Sequence, residues 1–356
     1  MAAETILVVN VGSSSIKCAV YRDGAEVERP NLPHRDSAAA AELLARVRPT
    51  VVGHRIVHGG MSFTTPTRIT PDVLAELDAL APFAPLHIPA ELAVIRAVEK
   101  LHPGVPQVAC FDTAFHASMP DVEKRYGLPR KYHAAGVRKY GFHGLSYQSI
   151  AARLPDVSAR AATGKTVVCH LGSGASVCGM SGGKSVSTSM GFSPLDGLLM
   201  ATRCGRIDPG VSLYLLTHDG MTADQVKHLL ERESGLLGVS GVSADIREVL
   251  ANPSADAALA VRLFCRMAAK EVAAAAVALG GLDALVFTAG IGENAPAVRA
   301  GVVAELAWLG IELDPAANDR NATHLNTPAS RVAVLCLPTD EERVIADAVP
   351  AVLSGH

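Results

Sequence analysis

TILVVNVGSSSIKCAV (residues 5–20) and KTVVCHLGSGASVCGM (165–180) superimpose without a gap at an offset of 160 residues. Self-similarity at a fixed spacing marks a duplicated unit, and each copy reads as strand, Gly/Ser turn, strand. Small residues follow a glycine at each tip, Ser13–Ser15 in one and Ser173–Ala175 in the other, where backbone N–H groups and hydroxyls can approach a ligand closely. Asn10 and His170 hold equivalent positions two residues before the shared Gly12 and Gly172, and a plain hairpin needs neither polar group. A third glycine turn, LVFTAGIGENAPAV, leaves a strand at Thr288 and enters a helix near Pro296.

Outward from these turns, short β-branched runs alternate with alanine-rich segments of helical period, which predicts the α/β class. Strands are expected at Ile6–Val9, Val51–Val57, Val108–Phe111, Val167–Leu171, Leu285–Thr288 and Val332–Leu335. Helices are expected at Ala38–Val47, Pro71–Ala81, Pro89–Glu99, Ser146–Ala152, Ala223–Arg232, Ala255–Ala278 and Ala295–Glu305, several opened by Pro or a capping residue. A chain of 356 residues suits roughly two domains. The Pro/Gly-rich stretch from Pro120 to Gly141 and the turn at Pro338–Thr339 are where it is expected to cross between them.

Composition narrows the function. With 32 Lys+Arg against 35 Asp+Glu, a net charge of −3 and 4% aromatic residues, the chain offers neither a positive field nor stacking rings for nucleic acid. Seven cysteines without a C-x-x-C pair read as reduced thiols. Met1–Glu4 has no basic n-region, and the apolar run Val272–Leu282 falls short of the roughly 18–20 residues of a membrane span. The expectation is a cytoplasmic enzyme with no membrane partner. Gly164-Lys165-Thr166 lacks the earlier glycine of a P-loop, Gly290-Ile291-Gly292 lacks the third glycine of a dinucleotide fingerprint, and neither G-x-S-x-G nor H-E-x-x-H occurs. Two Gly/Ser hairpins that clasp the phosphates of one nucleotide remain, with Lys17 just past the first tip as a point charge.

Nine ordered segments carry a resemblance: VNVGSSSIK (9–17), GHRIVHGG (53–60), FDTAFH (111–116), YGFHG (140–144), HLGSGAS (170–176), MGFSPLDGL (190–198), TRCGRIDPG (202–210), FTAGIGEN (287–294) and PTDEE (338–342). Together they resemble the acetate kinase family of short-chain carboxylate kinases, within the actin-like ATPase superfamily. The resemblance implies a two-lobed, ribonuclease H-like α/β fold with a duplicated domain and a central nucleotide cleft. One lobe would span 1–112 plus 343–356 and the other 113–342.

The implied reaction is Mg²⁺- or Mn²⁺-dependent phosphoryl transfer between ATP and a short carboxylate, giving an acyl phosphate and ADP. Such an acid has a pKa near ~4–5 and is already ionised, so its activation needs no strong base. The obstacle is repulsion between an anionic acid and an anionic γ-phosphoryl group, which cations and positioning must overcome. By resemblance, Arg55 and Arg203 neutralise acid and phosphoryl group, His143 donates to the phosphoryl oxygens, and Asp112 orients an arginine or serves the metal. Asn10 and Glu341 would hold the metal. The nucleotide would be met by Ser13, Ser15, Lys17, His170, Gly172, Ser173 and Gly174 at its phosphates, and by Asp245, Ile246, Arg247, Gly290, Ile291, Gly292 and Asn294 at its adenosine. Val57, Leu86, Phe142 and Pro194 would form a small apolar pocket for the acid's tail.

Two departures accompany the resemblance: Ser173 stands where the family usually has asparagine, and Arg206 where an acidic residue is usual. The chain is also somewhat shorter, with the shortening expected around residues 22–50. The family commonly forms homodimers, and the same is expected here. Alternatives are a propionate kinase, a kinase of a hydroxylated substrate that would use Asp112 as general base, and an actin-like ATP-driven switch.

Overall fold

The computed structural model describes residues 4–12, 15–33, 37–85 and 87–354. The chain forms two compact units, 1–117 with 142–149 and 340–356, and 118–141 with 150–339. The crossings fall at both ends of the Pro/Gly-rich stretch, after Ser149, and after Thr339. Relative to the expected lobes, the first unit also takes in 113–117, 142–149 and 340–342.

The first unit is built on β1 (Thr5–Val11), β2 (Ser15–Arg22), β3 (Ala25–Glu28), β4 (Asn31–Pro33), β5 (Val51–Ile56), β6 (Thr67–Arg68) and β7 (Gln107–Phe111). Among the described residues they form one mixed sheet in the order β3-β2-β1-β5-β7-β6, with β4 also pairing β2. The pairs β1–β5 and β5–β7 are parallel, while β1–β2 is antiparallel. Alternation along β1 explains how both faces are covered. Ile6 and Val8 face the C-terminal helix Glu341–Leu353 through Ile345 and Val349, whereas Leu7, Val9 and Val11 pack toward Leu43, Leu44, Val47 and Val98 on the other side.

The second unit repeats this plan with β8 (Lys165–Leu171), β9 (Ala175–Ser181), β10 (Lys184–Thr188), β11 (Ala284–Thr288) and β12 (Ala333–Cys336), in the order β10-β9-β8-β11-β12. Again the hairpin is antiparallel and the two outer strands run parallel to β8. The helix Ala255–Leu279, opened by Ser254 and closed by left-handed Gly280, packs on β8 and β9.

The duplication has one slip. In the first hairpin Asn10 stands opposite Lys17 and Val11 opposite Ile16; in the second His170 stands opposite Ser176 and Leu171 opposite Ala175. The gapless sequence match pairs Lys17 with Val177, so the return strand of the second copy is displaced by one residue and its tip is shorter. A one-residue slip exchanges the two faces of a strand, and Ser176 takes the place facing the strand-end residue that Lys17 has in the first copy. Gly290–Asn294 also differs from expectation. It is a short helix, Ala289–Asn294, and the left-handed residue at its start is Ala289 (φ 65°).

Candidate active site

In the first unit, parallel pairing of β5 with β7 sets Arg55 beside Cys110 and Ile56 beside Phe111, so Arg55 and Asp112 emerge at neighbouring strand ends. The Asp112 N–H donates to the Ile56 carbonyl at 3.0 Å. Its carboxylate takes the side of the guanidinium, with Arg55 Nε 3.1 Å from Oδ2 and Nη2 bonding the same oxygen. Nη1 donates to the Val11 carbonyl at 3.1 Å. Three of the five N–H donors of an arginine are thus used among the described residues, and one remains on each terminal nitrogen, the geometry that meets a carboxylate two-pronged. Burial pushes the Asp112 carboxyl up to about 6 against the pull of Arg55. Burial also works against the Arg55 charge, but Asp112 and Glu341 outweigh it and hold the guanidinium above its ordinary value.

Asp112 also fixes His143. Its carboxylate accepts the His143 backbone N–H, and its carbonyl accepts the Gly144 N–H at 2.9 Å. A Cβ on Gly144 would lie 2.1 Å from that carbonyl oxygen, so only glycine permits the approach. His143 itself is left-handed, φ 58°, a strained conformation of the kind that collects at functional sites. It directly precedes the helix Gly144–Val157.

Asn10 donates from Nδ2 to Glu341 at 3.0 Å and to Glu342 at 2.8 Å. Glu342 is buried, and its second oxygen receives Arg29 Nη1 at 2.8 Å. Asp340 caps the helix that both glutamates open, where the backbone dipoles favour negative charge. Glu342 is therefore fully engaged, whereas Glu341 keeps one oxygen, and Asn10 its amide oxygen, without a hydrogen bond among the described residues. Those two oxygens suit Mg²⁺, which takes one or two protein ligands alongside waters and substrate phosphates. No cluster of three or more His, Cys, Asp or Glu arranged to hold a metal occurs among the described residues.

Two of the residues expected to line the acid pocket, Val57 and Phe142, belong to this unit. Val57 and Phe142 are buried, and His58, next to Val57, sets its ring edge-on to Phe142 at 5.7 Å. The Val57 N–H donates to both oxygens of Glu91 at 3.2 Å. Burial pushes the Glu91 carboxyl up to about 8 despite Arg55. Ser13 and Leu86 lie outside the described residues, as does the side chain of Ser15, whose backbone opens β2. Lys17 is exposed opposite Asn10.

In the second unit, Arg203 Nη1 donates to the carbonyl of Pro194, the other residue expected to meet the acid's tail, at 3.1 Å and approaches Met200 Sδ at 3.6 Å. His170 lies opposite Ser176 and Thr288. A Cβ on Gly172 would lie 3.9 Å from His170 Nε2 and 3.8 Å from the Ala289 side chain, so the second hairpin adjoins the helix Ala289–Asn294. The tip is set by Gly172 N–H bonding the Gly174 carbonyl at 3.0 Å and by Ala201 N–H bonding the Ser173 carbonyl at 3.1 Å. The Ser173 residue itself is exposed. A Cβ on Gly290 would meet nothing within 4 Å. Ile291 and Gly292 continue that helix, and the Asn294 side chain donates to the Gly290 carbonyl at 3.0 Å.

Asp245 caps the helix Ile246–Ala251, and Ile246 is buried. The Arg247 side chain folds back on Asp245 with Nε 3.0 Å from Oδ1, and these hydrogen bonds hold the Asp245 carboxyl down at about 2. Arg206 pairs with Glu271 at 2.9 Å, so the charge reversal at that position has an acidic partner on the helix Ala255–Leu279. Arg29, Glu342 and Glu91 are not singled out along the chain: the partners Glu342, Asn10 and Val57 lie 34 or more positions away, and although Glu342 belongs to the PTDEE segment, nothing there separates its role from that of Glu341.

Two units of one strand order, each presenting a glycine hairpin beside polar strand-end residues, define the duplicated, two-lobed α/β fold of the actin-like phosphotransferases. The chain belongs to the acetokinase family, whose profile matches residues 35–347, and it is a kinase with a carboxyl group as acceptor. It is 46% identical, over 386 aligned positions covering 97% of each chain, to an acetate kinase of Rhodopseudomonas palustris. Among solved structures, it matches an acetate kinase from Porphyromonas gingivalis with a TM-score of 0.87 at 35% identity, covering 98% of this chain and 100% of that one. It matches a propionate kinase from Francisella tularensis with a TM-score of 0.89 at 34% identity, covering 97% and 98%.

Proposed function

We propose that this chain catalyses reversible, Mg²⁺-dependent transfer of the γ-phosphoryl group of ATP to acetate, giving acetyl phosphate and ADP by direct in-line displacement. The observation that carries the reading is the acetokinase match along nearly the whole chain, and the bonding of Arg55 supports it. With its side held by Asp112 and Nη1 by Val11, the guanidinium presents two donors to an acid that arrives as its carboxylate. Because that acid has no proton to lose, Asp112 serves as an orienting group for Arg55 and His143.

His143 donates to the oxygens of the transferring group, and Arg203 neutralises charge there, because donors aimed at developing charge act most strongly in the transition state. Ser13, Ser15, Lys17, His170 and the Gly172–Gly174 tip are assigned to the phosphates. Gly290, Ile291, Gly292 and Asn294 meet the nucleoside, with Asp245, Ile246 and Arg247 in support. Asn10 and Glu341 hold Mg²⁺, or Mn²⁺, which supplies charge neutralisation on the phosphates when bound. Val57, Leu86, Phe142 and Pro194 are the residues assigned to the acid's methyl group.

Two further parts of the reading concern setting. Seven free thiols, six of them buried, fit a reducing cytoplasm, and no described helix is long and apolar enough to cross a membrane. A homodimer is supported by the exposed apolar residues Val211, Leu213, Tyr214 and Leu216 on the helix Pro209–Thr217, a patch of the kind that marks association. Light scattering that finds a monomer at assay concentration overturns the dimer.

The deciding experiment traps acyl phosphate with hydroxylamine, using purified protein, ATP and acetate, propionate, butyrate or glycerol in parallel, with and without Mg²⁺. The reading expects metal-dependent hydroxamate with acetate preferred. Preference for propionate reassigns the substrate, since one methylene changes selectivity by only about 1–3 kcal/mol. No hydroxamate from any acid overturns the carboxylate kinase.

A further inference from the structure

Arg299, on the helix Pro296–Glu305, is fully buried. Each of its five N–H groups has an acceptor. Nη1 donates to the carbonyls of Gly292 at 2.8 Å and Glu293 at 2.9 Å. Nε donates to Asn318 Oδ1 at 2.8 Å, and Nη2 donates to the Asn318 carbonyl and Asn321 Oδ1, both at 2.6 Å. None of the five is a carboxylate, and burial lowers the pKa of the guanidinium from its ordinary value. A buried cation without a carboxylate against it is costly, and what offsets that cost here is the full set of five acceptors, which an apolar side chain would leave unsatisfied.

The acceptors show what the arrangement accomplishes. Two are carbonyls in the last turn of the helix Ala289–Asn294, where the backbone dipoles present negative charge; the other three belong to Asn318, near the end of the helix Pro315–Asp319, and to Asn321 in the turn after it. A helix of six residues is not stable by itself, and this one starts from left-handed Ala289. Its start is tied by Glu293 Oε1, which accepts the Ala289 N–H at 2.8 Å. Its far end is tied by Arg299 alone among charged side chains of the described residues. The Gly290 position, where an added Cβ would meet nothing within 4 Å, is left open.

We infer that Arg299 is a positioning residue for nucleotide binding: without touching the nucleotide, it locks Ala289–Asn294 in the conformation that receives the nucleoside. This rests on the reading of Gly290–Asn294 as the nucleoside segment. A planar fork can bridge two segments at once, whereas a lysine ammonium supplies a point charge that cannot.

The test compares the wild-type chain with Arg299→Lys and Asn321→Gly. Asn321 has φ 51°, which glycine adopts without strain, so that variant removes one acceptor and spares the fold. Initial rates in the hydroxamate assay give kcat and KM for ATP and acetate, and calorimetric titration gives Kd for ADP. Arg299→Lys is expected to raise the KM for ATP and the Kd for ADP about tenfold, with kcat and the KM for acetate within about twofold. Asn321→Gly should raise the same two constants about two- to threefold. Unchanged nucleotide constants with only a lower Tm overturn the inference, as does an equal rise in the KM for acetate. If Arg299→Lys does not fold, Asn321→Gly decides. A wild-type chain that binds ADP but yields no hydroxamate sinks the carboxylate kinase reading while leaving the Kd comparison valid, and one that does not bind ADP overturns the inference itself.

Discussion

The two hairpins share a strand order and differ in what their strand-end residues join. In the first unit, Asn10 lies between two glutamates, with Arg29 behind them, and the adjacent strand ends supply the Arg55–Asp112 pair. In the second, His170 adjoins a glycine tip and a short helix whose carbonyls are held by Arg299. The scaffold thus repeats position while the chemistry diverges, with paired side-chain charges in one unit and backbone groups in the other. Buried pairs of charges are sensitive to removal of one member, because the survivor stays in a poorly solvating interior. Backbone sites are sensitive to conformation.

The sharpest test of that difference is Arg55→Ala against Arg203→Ala. Both should lower kcat/KM by about 10²–10³-fold, the usual cost of a lost transition-state donor. Stability should separate them. Arg55→Ala strands the buried Asp112 carboxylate and is expected to cost about 3–5 kcal/mol at neutral pH, less in acid where Asp112 takes up a proton. Arg203 is half-buried, so water reaches the groups its removal uncovers, and its loss should cost clearly less stability than that of Arg55. Equal destabilisation by the two changes breaks the comparison.

How much was legible along the chain follows the same division. The strands around Val8, Val52, Val108 and Val167 were readable because apolar β-branched runs bounded by glycines have few other solutions. Glycine segments announced backbone sites directly. The charge network was not readable, since Arg29 and Glu342 meet across 313 positions and nothing local distinguishes Arg29 from a solvated arginine. Arg299 was hidden for the opposite reason: its acceptors are neutral, so no acidic partner in the sequence points to it. Several helices of six residues or fewer have no expected counterpart, and neither do two longer ones. Pro209–Thr217 is apolar all round and shows no period, while Glu341–Leu353 contains Pro350 in its last turn, a residue that argues against helix. The one-residue slip between the hairpins escaped because the tips differ in length while the sequences align without a gap.

Within the first unit the comparison sharpens at adjacent glutamates. Glu341 keeps an oxygen available, whereas both oxygens of Glu342 are committed to Asn10 and Arg29. Glu341→Gln is therefore expected to raise the Mg²⁺ concentration at half-maximal rate by about 10–100-fold with little change in Tm. Glu342→Gln should do the reverse, lowering Tm through the loss of a half-buried ion pair while shifting the Mg²⁺ dependence by a smaller factor. Titrating Mg²⁺ against initial rate in both variants checks this, and a larger metal effect from Glu342→Gln would reverse the assignment.

The smallest expected effect is a pH dependence, and it sets a buried acid without a close cation against one that has a cation. Glu91 accepts only a backbone N–H among the described residues, and its pKa rises from 4.5 to about 8. Between those values the folded chain keeps a proton that the unfolded chain has lost, so the stability it contributes is full below about 4.5 and gone above about 8. Glu91→Gln removes the titrating group, and its amide oxygen can still accept the Val57 N–H. Its Tm should therefore match or fall below wild type near about pH 5 and exceed it near about pH 9, with the difference growing through that window. Glu271 in the second unit is raised by burial too, but Arg206 lies 2.9 Å away and pulls it back. Glu271→Gln should show a weaker pH trend in the same measurement, since the ionised form it replaces already has a partner. A pH-independent Tm difference for Glu91→Gln would mean that Glu91 is ionised throughout the range, and that Arg55 reaches it more strongly than its burial opposes.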